Sequence, residues 1–171
     1  LFQAMFALAF HAFLRIGEIT VRATSDKDHE HLLKVNQVNL TPQALTVNFI
    51  SYKHSKGQPF TLSVHPNPLA SECPVQIMHK YLASRGSGSG PLFQLAPSVP
   101  VTRTFFNAQL RLALAFCKLP TDRFKAHSFR IGAATTAASM GLSDSQIRQL
   151  GRWQSDAFKK YIRCSQRLSS L

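Results

Sequence analysis

Apolar residues recur at helical spacing through the first fourteen positions of the chain. This spacing places them along one face of a helix and predicts a buried helix over residues 1–14. Arg15 follows at the end of this helix, and Gly17 is expected to terminate it. The apolar positions are Phe2, Met5, Phe6, Ala9, Phe10, Phe13 and Leu14.

The next apolar stretches are short and are separated by turn residues. Three of them predict β-strands, at residues 33–40, 45–52 and 60–65. The turns between them fall at residues 41–43 and 53–59, where proline and glycine occur. Three strands joined by two short turns predict a small antiparallel sheet.

Helical patterns return after the third strand. A helix is predicted over residues 73–84, and an amphipathic helix over residues 102–119 with Arg103 and Arg111 facing outward. The Gly-Ser-rich segment 85–100 between them is expected to be a flexible loop inside the domain. The core side chains of the amphipathic helix are predicted to be Phe105, Phe106, Leu110, Leu114 and Phe116.

The last third of the chain predicts three shorter helices. The first runs from Ser128 to Met140, the second ends at Leu150, and the third carries Tyr161. A glycine follows each of the first two, as is common at helix C-termini. The expected N-caps are Ser128 for the first helix, Ser143 or Asp144 for the second, and Ser155 or Asp156 for the third.

Length and composition fit one globular domain, but the charge is unusual. The chain has 171 residues, of which 44% are apolar, and a formal net charge of +12. Residues 1–100 carry eight Lys and Arg against five acidic residues, while residues 101–171 carry twelve against three. Such an uneven excess indicates a polyanionic partner. A basic face kept for solubility is the alternative.

The cysteines and the apolar start of the chain exclude several classes of protein. Cys73, Cys117 and Cys164 are odd in number and widely spaced, so neither a disulfide framework nor a zinc ribbon is expected. We therefore expect a reducing, intracellular location. Residues 1–14 are too few to span a bilayer and lack signal-peptide features. Because the chain begins at Leu1 inside a predicted helix, we expect it to be a fragment of a longer protein.

His127, Ser128, Phe129 and Arg130 stand at the start of a predicted helix. Free backbone N–H groups at a helix N-terminus attract phosphate oxygens, and an arginine there can add a bidentate contact. His127 precedes the cap and can face the same anion. The alternative is a capping serine flanked by a surface arginine and a half-buried histidine.

A second group comprises Gly151, Arg152, Trp153 and, nine positions after Arg152, Tyr161. A tyrosine hydroxyl can act as a nucleophile where cations stabilise the charge that develops. Because its helix is short, we expect Tyr161 to rest outside the site until DNA and a partner subunit bind. The alternative is a terminal helix whose tyrosine and tryptophan only pack against the domain.

Arg15, Glu18 and two lysines complete the candidate site. Burying an unpaired arginine is costly, and Glu18 is the expected partner that orients Arg15 toward a phosphate. Lys53 and Lys56 lie in the second predicted turn, from which a lysine can reach into a groove and protonate a leaving oxygen. A solubilising role for both lysines is the alternative.

Together and in this order, these residues resemble the catalytic domain of the tyrosine recombinase, or phage integrase, family. The resemblance covers nearly the whole chain and implies a mainly helical α+β fold with a small three-stranded antiparallel sheet at one edge. After Gly151, where most members have histidine and some have tryptophan, this chain has Arg152 and then Trp153. That form resembles the recombinases of eukaryotic mobile elements. The family's remaining functional residues correspond to Arg15, Glu18, Lys53, His127, Arg130 and Tyr161.

The resemblance implies site-specific recombination or integration of DNA without a metal or other cofactor. Tyr161 would attack the scissile phosphate, form a 3′-phosphotyrosyl intermediate and release a 5′-hydroxyl. The other implied roles are phosphate binding by Arg15, Arg130 and Arg152, proton transfer by His127, and protonation of the leaving oxygen by Lys53, with Glu18 and Trp153 in support.

The same resemblance implies the partners and the organisation of the protein. Residues 1–171 would be a single catalytic domain, and an upstream DNA-clamping domain would complete the grip on DNA. The expected partners are double-stranded DNA and further copies of the protein, as a dimer or tetramer on DNA. No membrane or small-molecule partner is expected, and the location would be nuclear if the host is eukaryotic.

Three other functions remain open on the sequence alone. The first is a domesticated DNA-binding module without catalysis, which Arg152 at the usual histidine position keeps open. The second is a type IB topoisomerase, which shares the chemistry but relaxes supercoils. The third is an unrelated basic helical scaffold protein.

Overall fold

The computed structural model describes residues 1–23, 30–53, 55–67 and 72–163. The predicted class, a mainly helical α+β fold with a small three-stranded antiparallel sheet, is confirmed. The α-helices are α1 (Phe2–His11), α2 (Pro74–Arg85), α3 (Arg103–Phe116), α4 (Ser128–Ser139) and α5 (Asp144–Leu150). The strands are β1 (Val38–Leu40), β2 (Leu45–Phe49), β3 (Phe60–Val64), β4 (Gln94–Ala96) and β5 (Val99–Pro100). The 3₁₀ helices are Ile16–Glu18, Val35–Gln37 and Asp156–Tyr161.

The apolar face of α1 lies in the main core, which also takes in α2, α3 and the three-stranded sheet. Met5 and Leu8 are fully buried there, as the helical spacing of the apolar residues requires. A second, smaller cluster lies where α4, α5 and the last 3₁₀ helix meet, and it includes Ala134, Ile147 and Phe158. The C-terminal elements are thereby packed onto the end of α1.

The first helix ends three residues earlier than predicted, at His11. Phe13 adopts a left-handed φ of 51°, and a backbone hydrogen bond of 3.0 Å from the Leu14 N–H closes the helix end. Arg15 therefore lies outside α1. It precedes the 3₁₀ helix Ile16–Glu18, which begins a new direction of the chain.

The sheet has β2 at its centre, paired antiparallel with β1 and β3. Its inward side chains, Val47 and Phe49 among them, are buried, which matches the predicted alternation. The first strand is shorter than predicted because residues Val35–Gln37 form a 3₁₀ helix. The N–H of Lys34 donates to the Gln37 side chain at 2.9 Å and holds this turn.

The segment between α2 and α3 is more structured than the flexible loop that we predicted. Gln94–Ala96 and Val99–Pro100 form a small hairpin, and Leu92 and Phe93 are buried. Arg85, at the end of α2, donates from Nε to the Leu92 carbonyl at 3.0 Å. Contacts of this kind compensate for the weak structural preference of a Gly-Ser sequence.

The amphipathic helix α3 buries only part of its predicted core face. Phe106, Leu110 and Leu114 are buried as predicted. Phe105 is 39% exposed and Phe116 is 89% exposed, so the prediction that they belong to the core is wrong. The helix also ends at Phe116, three residues before the predicted end.

The C-terminal helices follow the prediction apart from the N-cap of the first helix and the type of the last one. His127 occupies the N-cap of α4, and Ser128 lies inside its first turn. Ser143 caps α5 through its side-chain oxygen. The last predicted helix is the 3₁₀ helix Asp156–Tyr161, with Ser155 as its cap.

Within the described ranges, no helix combines the length and apolar character needed to cross a membrane. In the same part of the chain, no group of three or more His, Cys, Asp or Glu side chains could hold a metal ion. Cys73 and Cys117 are free thiols. Cys164 lies outside the described residues.

Candidate active site

A cleft of about 1000 Å³ is lined by residues from distant parts of the chain. Basic side chains dominate its walls. It brings together all nine residues that the sequence singled out, which are Arg15, Glu18, Lys53, Lys56, His127, Arg130, Arg152, Trp153 and Tyr161. It also contains Arg22, His31 and Arg103, which the sequence analysis did not assign to a site.

The floor of the cleft is built where the C-terminal ends of α1 and α5 meet. Both helices are followed by a non-glycine residue in the left-handed conformation, Phe13 with φ 51° and Arg152 with φ 55°. Backbone carbonyls at a helix C-terminus are unpaired and carry partial negative charge. Guanidinium groups are therefore the natural partners for this junction.

Arg130 joins the two helix ends. It lies in the first turn of α4 and donates from Nη1 to the Phe13 carbonyl and from Nη2 to the Gly151 carbonyl. Its side chain is only 2% exposed. Burial, followed by the positive charges of Arg15 and Arg152, lowers the pKa of Arg130 to about 9. The guanidinium thus stays charged at neutral pH, but its charge is held at a cost that a nearby anion would reduce.

Arg152 lines the cleft, as we predicted, but it is more deeply buried than a phosphate ligand would be. Its side chain is buried, and Nη2 donates to Glu18 at 2.7 Å while Nη1 donates to the Ala12 carbonyl at 3.2 Å. Its guanidinium also lies 3.9 Å from the centre of the Phe49 ring on β2.

Arg15 is the most accessible of the three arginines, with a side chain that is 23% exposed. Glu18 orients it from two sides, since the carboxylate accepts from the Arg15 backbone N–H at 2.8 Å and from Nη1 at 3.3 Å. Arg15 also donates from Nη2 to the Arg152 carbonyl at 3.2 Å. The expected Arg15–Glu18 pair is therefore present, and Glu18 serves Arg152 as well.

Trp153 covers the floor of the cleft. Its ring lies over Gly151 so closely that a Cβ at that position would overlap it, which explains the glycine. The guanidinium carbon of Arg130 stacks 4.0 Å from the centre of the same ring. Trp153 thus contributes to the burial of Arg130 at the floor of the cleft.

Tyr161 and His127 lie together on one wall of the cleft. Their ring centres are 5.0 Å apart, and the ring of Tyr161 is 5.3 Å from that of Trp153. Thr135 on α4 donates to the Tyr161 carbonyl at 3.1 Å and fixes the backbone there. The expectation that Tyr161 rests outside the site is therefore not met, because its side chain already lines the cleft.

Burial and the nearby charge of Arg130 lower the pKa of His127 from its ordinary value. Its imidazole is therefore mostly neutral at pH 7 and has a nitrogen free to accept a proton. A neutral base beside a tyrosine ring is a suitable arrangement for deprotonating a phenol.

Lys53 and Lys56 both reach the cleft from the turn between β2 and β3, and both are exposed. Lys56 has a left-handed φ of 49°, which a turn residue tolerates. The structure brings both lysines to the site and does not select one of them. His54, between them, lies outside the described residues.

The cleft residue that sequence reasoning misplaced is Arg103. The helical pattern predicted that it faces outward, but it is half-buried and lines the cleft. A signal was present in the sequence: Thr102 caps α3, so Arg103 falls in the first turn of a helix. Cations are disfavoured at that position by the helix dipole and need another reason to be there.

No protein-family model matches the sequence, and no curated protein matches it. Solved structures do. The XerH site-specific recombinase bound to a palindromic difH substrate in a post-cleavage complex has a TM-score of 0.69 at 12% sequence identity, over 96% of this chain and 42% of that one. The Tn1549 transposon integrase in complex with circular intermediate DNA has a TM-score of 0.60 at 14% identity, over 96% of this chain and 54% of that one.

A second XerH complex, with difH before cleavage, has a TM-score of 0.68 at 12% identity over 96% of this chain and 43% of that one. The chain thus spans about half the length of these proteins, or somewhat less. The match extends over nearly all of the chain and includes the mixed helix and sheet arrangement that carries the cleft. The chain therefore has the fold of the tyrosine recombinase catalytic domain, the fold that its residue pattern predicted.

Proposed function

We propose that the protein cleaves and rejoins DNA strands through a 3′-phosphotyrosyl intermediate, as part of site-specific recombination or integration. The observation that carries this proposal is the placement of Tyr161 beside His127, Arg15 and Arg130 in one basic cleft. The similar solved structures are complexes with DNA, which supports double-stranded DNA as the substrate. Residues 1–171 act as the catalytic domain, and a separate clamping domain and further copies complete the assembly on DNA.

The chemistry is a transesterification in which atoms and charge balance. The Tyr161 oxygen forms a bond to the scissile phosphorus, and the bond from phosphorus to the 5′ oxygen of the next nucleotide breaks. His127 accepts the phenolic proton, and Lys53 or Lys56 gives a proton to the departing 5′ oxygen. Rejoining is the reverse reaction with a 5′-hydroxyl as the nucleophile, so no external energy source is needed.

The electrostatics of the cleft favour this reaction. Three arginines, Arg15, Arg130 and Arg152, lie near one buried carboxylate, that of Glu18, which pairs with Arg15 and Arg152, so positive charge remains in excess at the floor. A phenolate at Tyr161 would raise the pKa of Arg130, which means that each stabilises the charged form of the other. A phosphate with developing negative charge gains from the same field without reorganisation of the protein.

We assign different tasks to the three arginines. Arg15 contacts the phosphate directly, because it is accessible and held by Glu18. Arg130 supports the same phosphate from the floor of the cleft, where it stacks on Trp153. Arg152 acts as a positioning residue, since both of its Nη groups donate within the protein.

A nicked duplex with a short strand beyond the cleavage site tests the proposal. The released short strand diffuses away, so a covalent intermediate accumulates and migrates as a protein–DNA adduct on a denaturing gel. We expect an adduct without added metal ions and in the presence of a chelator. Salt-sensitive binding without an adduct would instead support the DNA-binding module.

The non-catalytic module is the second candidate, and one observation favours it. Arg130 and Arg152 are both buried, so the cleft presents fewer open cations than a preformed phosphate site would. A topoisomerase is distinguished by a different experiment. Relaxation of a supercoiled plasmid without a specific sequence would support that function over site-specific recombination.

Lys53→Ala is expected to slow adduct formation by about 10²–10⁴-fold with little loss of DNA binding, as for removal of a general acid. The check uses a substrate whose bridging 5′ oxygen is replaced by sulfur. A thiol, with a pKa of about 8.5, leaves without protonation, so this substrate should restore the rate of the variant. Lys56→Ala is the matched control. If sulfur rescues Lys56→Ala and not Lys53→Ala, the general acid is Lys56.

The rate of adduct formation is expected to fall as the pH is lowered, with a midpoint below the ordinary histidine pKa of 6.5. The sign follows from the lowered pKa of His127: the imidazole is neutral and able to accept a proton above that pKa, and protonated below it. His127→Gln should slow the reaction by about 10²–10⁴-fold and remove this acid limb.

His11→Gln is the matched control, because burial lowers the pKa of His11 as well but its side chain does not line the cleft. This variant should keep the full pH profile. An acid limb that persists in His127→Gln would show that another group accepts the proton.

A further inference from the structure

Arg103 lies beside the candidate active site through a fixed backbone connection. The segment before α3 pairs with the segment after the 3₁₀ helix Ile16–Glu18: the Val21 N–H donates to the Val101 carbonyl at 3.0 Å, and the Arg103 N–H donates to the Val21 carbonyl at 2.8 Å. This pairing joins residues that are about eighty positions apart. It places the start of α3 against the loop that carries Arg15.

The side chain of Arg103 reaches the backbone of that loop. Its Nη2 lies 3.3 Å from the position that a Cβ on Gly17 would take. Gly17 stands between Arg15 and Glu18, so the guanidinium lies next to the pair that orients the catalytic arginine. The absence of a side chain on Gly17 leaves this space open to Arg103.

The guanidinium of Arg103 has no protein partner among the described residues. Its Nε is buried without a hydrogen bond, and no ion pair or side-chain hydrogen bond of Arg103 occurs in that part of the chain. A buried donor left unpaired costs free energy. The helix dipole also disfavours a cation in the first turn of α3. Stability of the fold therefore does not account for an arginine here.

Arg103 belongs to a set of cations that differs from the arginines at the floor of the cleft. The set consists of Arg22, Lys53, Lys56 and Arg103, all of which line the same cleft. Glu18 balances part of the charge at the floor, but no ion pair within the described residues involves any member of this set. The cleft thus continues from the catalytic centre into a second basic region, which contains no carboxylate among the described residues that line the cleft.

We propose that Arg103 binds a backbone phosphate that neighbours the scissile phosphate on the DNA. This inference rests on the proposed function and adds a binding residue to it. One phosphate occupies the floor beside Arg15, His127 and Tyr161, and the strand continues along the second basic region. Arg103 supplies its free donors to the flanking phosphate and sets the register of the strand over the nucleophile.

Arg103→Gln tests the proposal, and Arg111→Gln is its matched control. Arg111 is an exposed arginine on the same helix, and its side chain does not line the cleft. With a duplex oligonucleotide, Arg103→Gln should weaken binding about tenfold, equivalent to about 1.4 kcal/mol. The slope of log affinity against log salt should fall by about 0.9, as for one lost phosphate contact. Arg111→Gln should leave both quantities near their wild-type values.

Neutral methylphosphonate groups, placed one at a time along the duplex, identify the phosphate. At the position that Arg103 contacts, neutralisation should weaken wild-type binding but leave Arg103→Gln binding unchanged. The inference is overturned if neutralisation at every position weakens DNA binding by both proteins equally. It is also overturned if the affinity and the salt slope of Arg103→Gln equal those of Arg111→Gln. Circular dichroism of each variant excludes loss of folding as the cause.

The adduct assay separates this inference from the proposed function. At saturating DNA, Arg103→Gln should form the covalent adduct more slowly than wild type, because the strand is held less firmly in register over Tyr161, but adduct formation should not be lost. If wild-type protein forms the adduct and Arg103→Gln binds as tightly as wild type, only the inference fails. If wild-type protein neither binds DNA nor forms an adduct, both the proposed function and the inference fail.

Discussion

Tyr161→Phe is expected to abolish the covalent protein–DNA adduct, a loss of more than about 10³-fold, while DNA binding and folding stay close to wild type. The substitution removes only the hydroxyl that would attack phosphorus. Among the described residues, that hydroxyl takes part in no hydrogen bond, whereas the backbone contact from Thr135 and the ring contacts to His127 and Trp153 are retained. The measurement compares labelled nicked duplex with both proteins on a denaturing gel and by equilibrium binding.

Tyr81→Phe is the control matched in chemistry. Its hydroxyl donates to the Leu92 carbonyl at 3.0 Å, remote from the cleft, so its loss lowers stability by about 1 kcal/mol without affecting the nucleophile. The adduct should persist in this variant. An adduct that also persists in Tyr161→Phe would rule out Tyr161 and with it the proposed reaction.

The residues that line the cleft could be identified from the sequence because arginine, histidine and tyrosine are the residue types that phosphoryl transfer requires. An arginine after an apolar helix, a histidine and arginine at a helix start, and a tyrosine among lysines form an unusual combination in a fixed order. The structure brings all of these side chains to one cleft. Which group performs which step stays a prediction until the variants are measured.

The direction of individual side chains could not be predicted from sequence. The Arg152 side chain is buried against Glu18, and its backbone φ is positive, at 55°. A sequence gives little warning of a non-glycine residue in that conformation. Glu18, the partner of Arg152, is 134 positions away. Arg103 likewise faces the cleft through a backbone pairing with Val21, which local periodicity cannot reveal.

The fold was predictable where local pattern and burial agree. The helices and the three strands lie where periodicity placed them, but their ends differ by a few residues. The two larger differences, the 3₁₀ helix Val35–Gln37 and the structured segment after Arg85, depend on long-range contacts. The Leu92 N–H, for example, donates to the Leu33 carbonyl at 2.7 Å and links both regions.

Glu18→Gln is expected to destabilise the protein by about 3–5 kcal/mol, a large fraction of the stability of a domain of this size. Burial lowers the pKa of Arg152, and Glu18 opposes that shift by stabilising the charged guanidinium. Without the carboxylate, three arginines remain at the junction of α1 and α5 with only carbonyl partners. Urea unfolding of the wild type and the variant measures the difference.

A surface carboxylate provides the contrast for this measurement. Asp144 pairs with Lys159 at 3.3 Å, and both side chains are more than half exposed. Asp144→Asn should therefore leave the urea midpoint almost unchanged. If the urea midpoint of Glu18→Gln is also close to that of the wild type, the buried pair contributes little to stability.

Combining Glu18→Gln with Arg152→Met separates positioning from stability. Removing the second charge relieves the unpaired guanidinium, and methionine can pack against Phe49, so the double variant should be more stable than Glu18→Gln alone. Adduct formation should not recover with it, because Arg15 still lacks the carboxylate that orients it. Recovery of both stability and adduct formation would assign Glu18 a structural role only. A double variant less stable than Glu18→Gln would show that the carbonyl contacts of Arg152, rather than its charge pair, hold the two helix ends together.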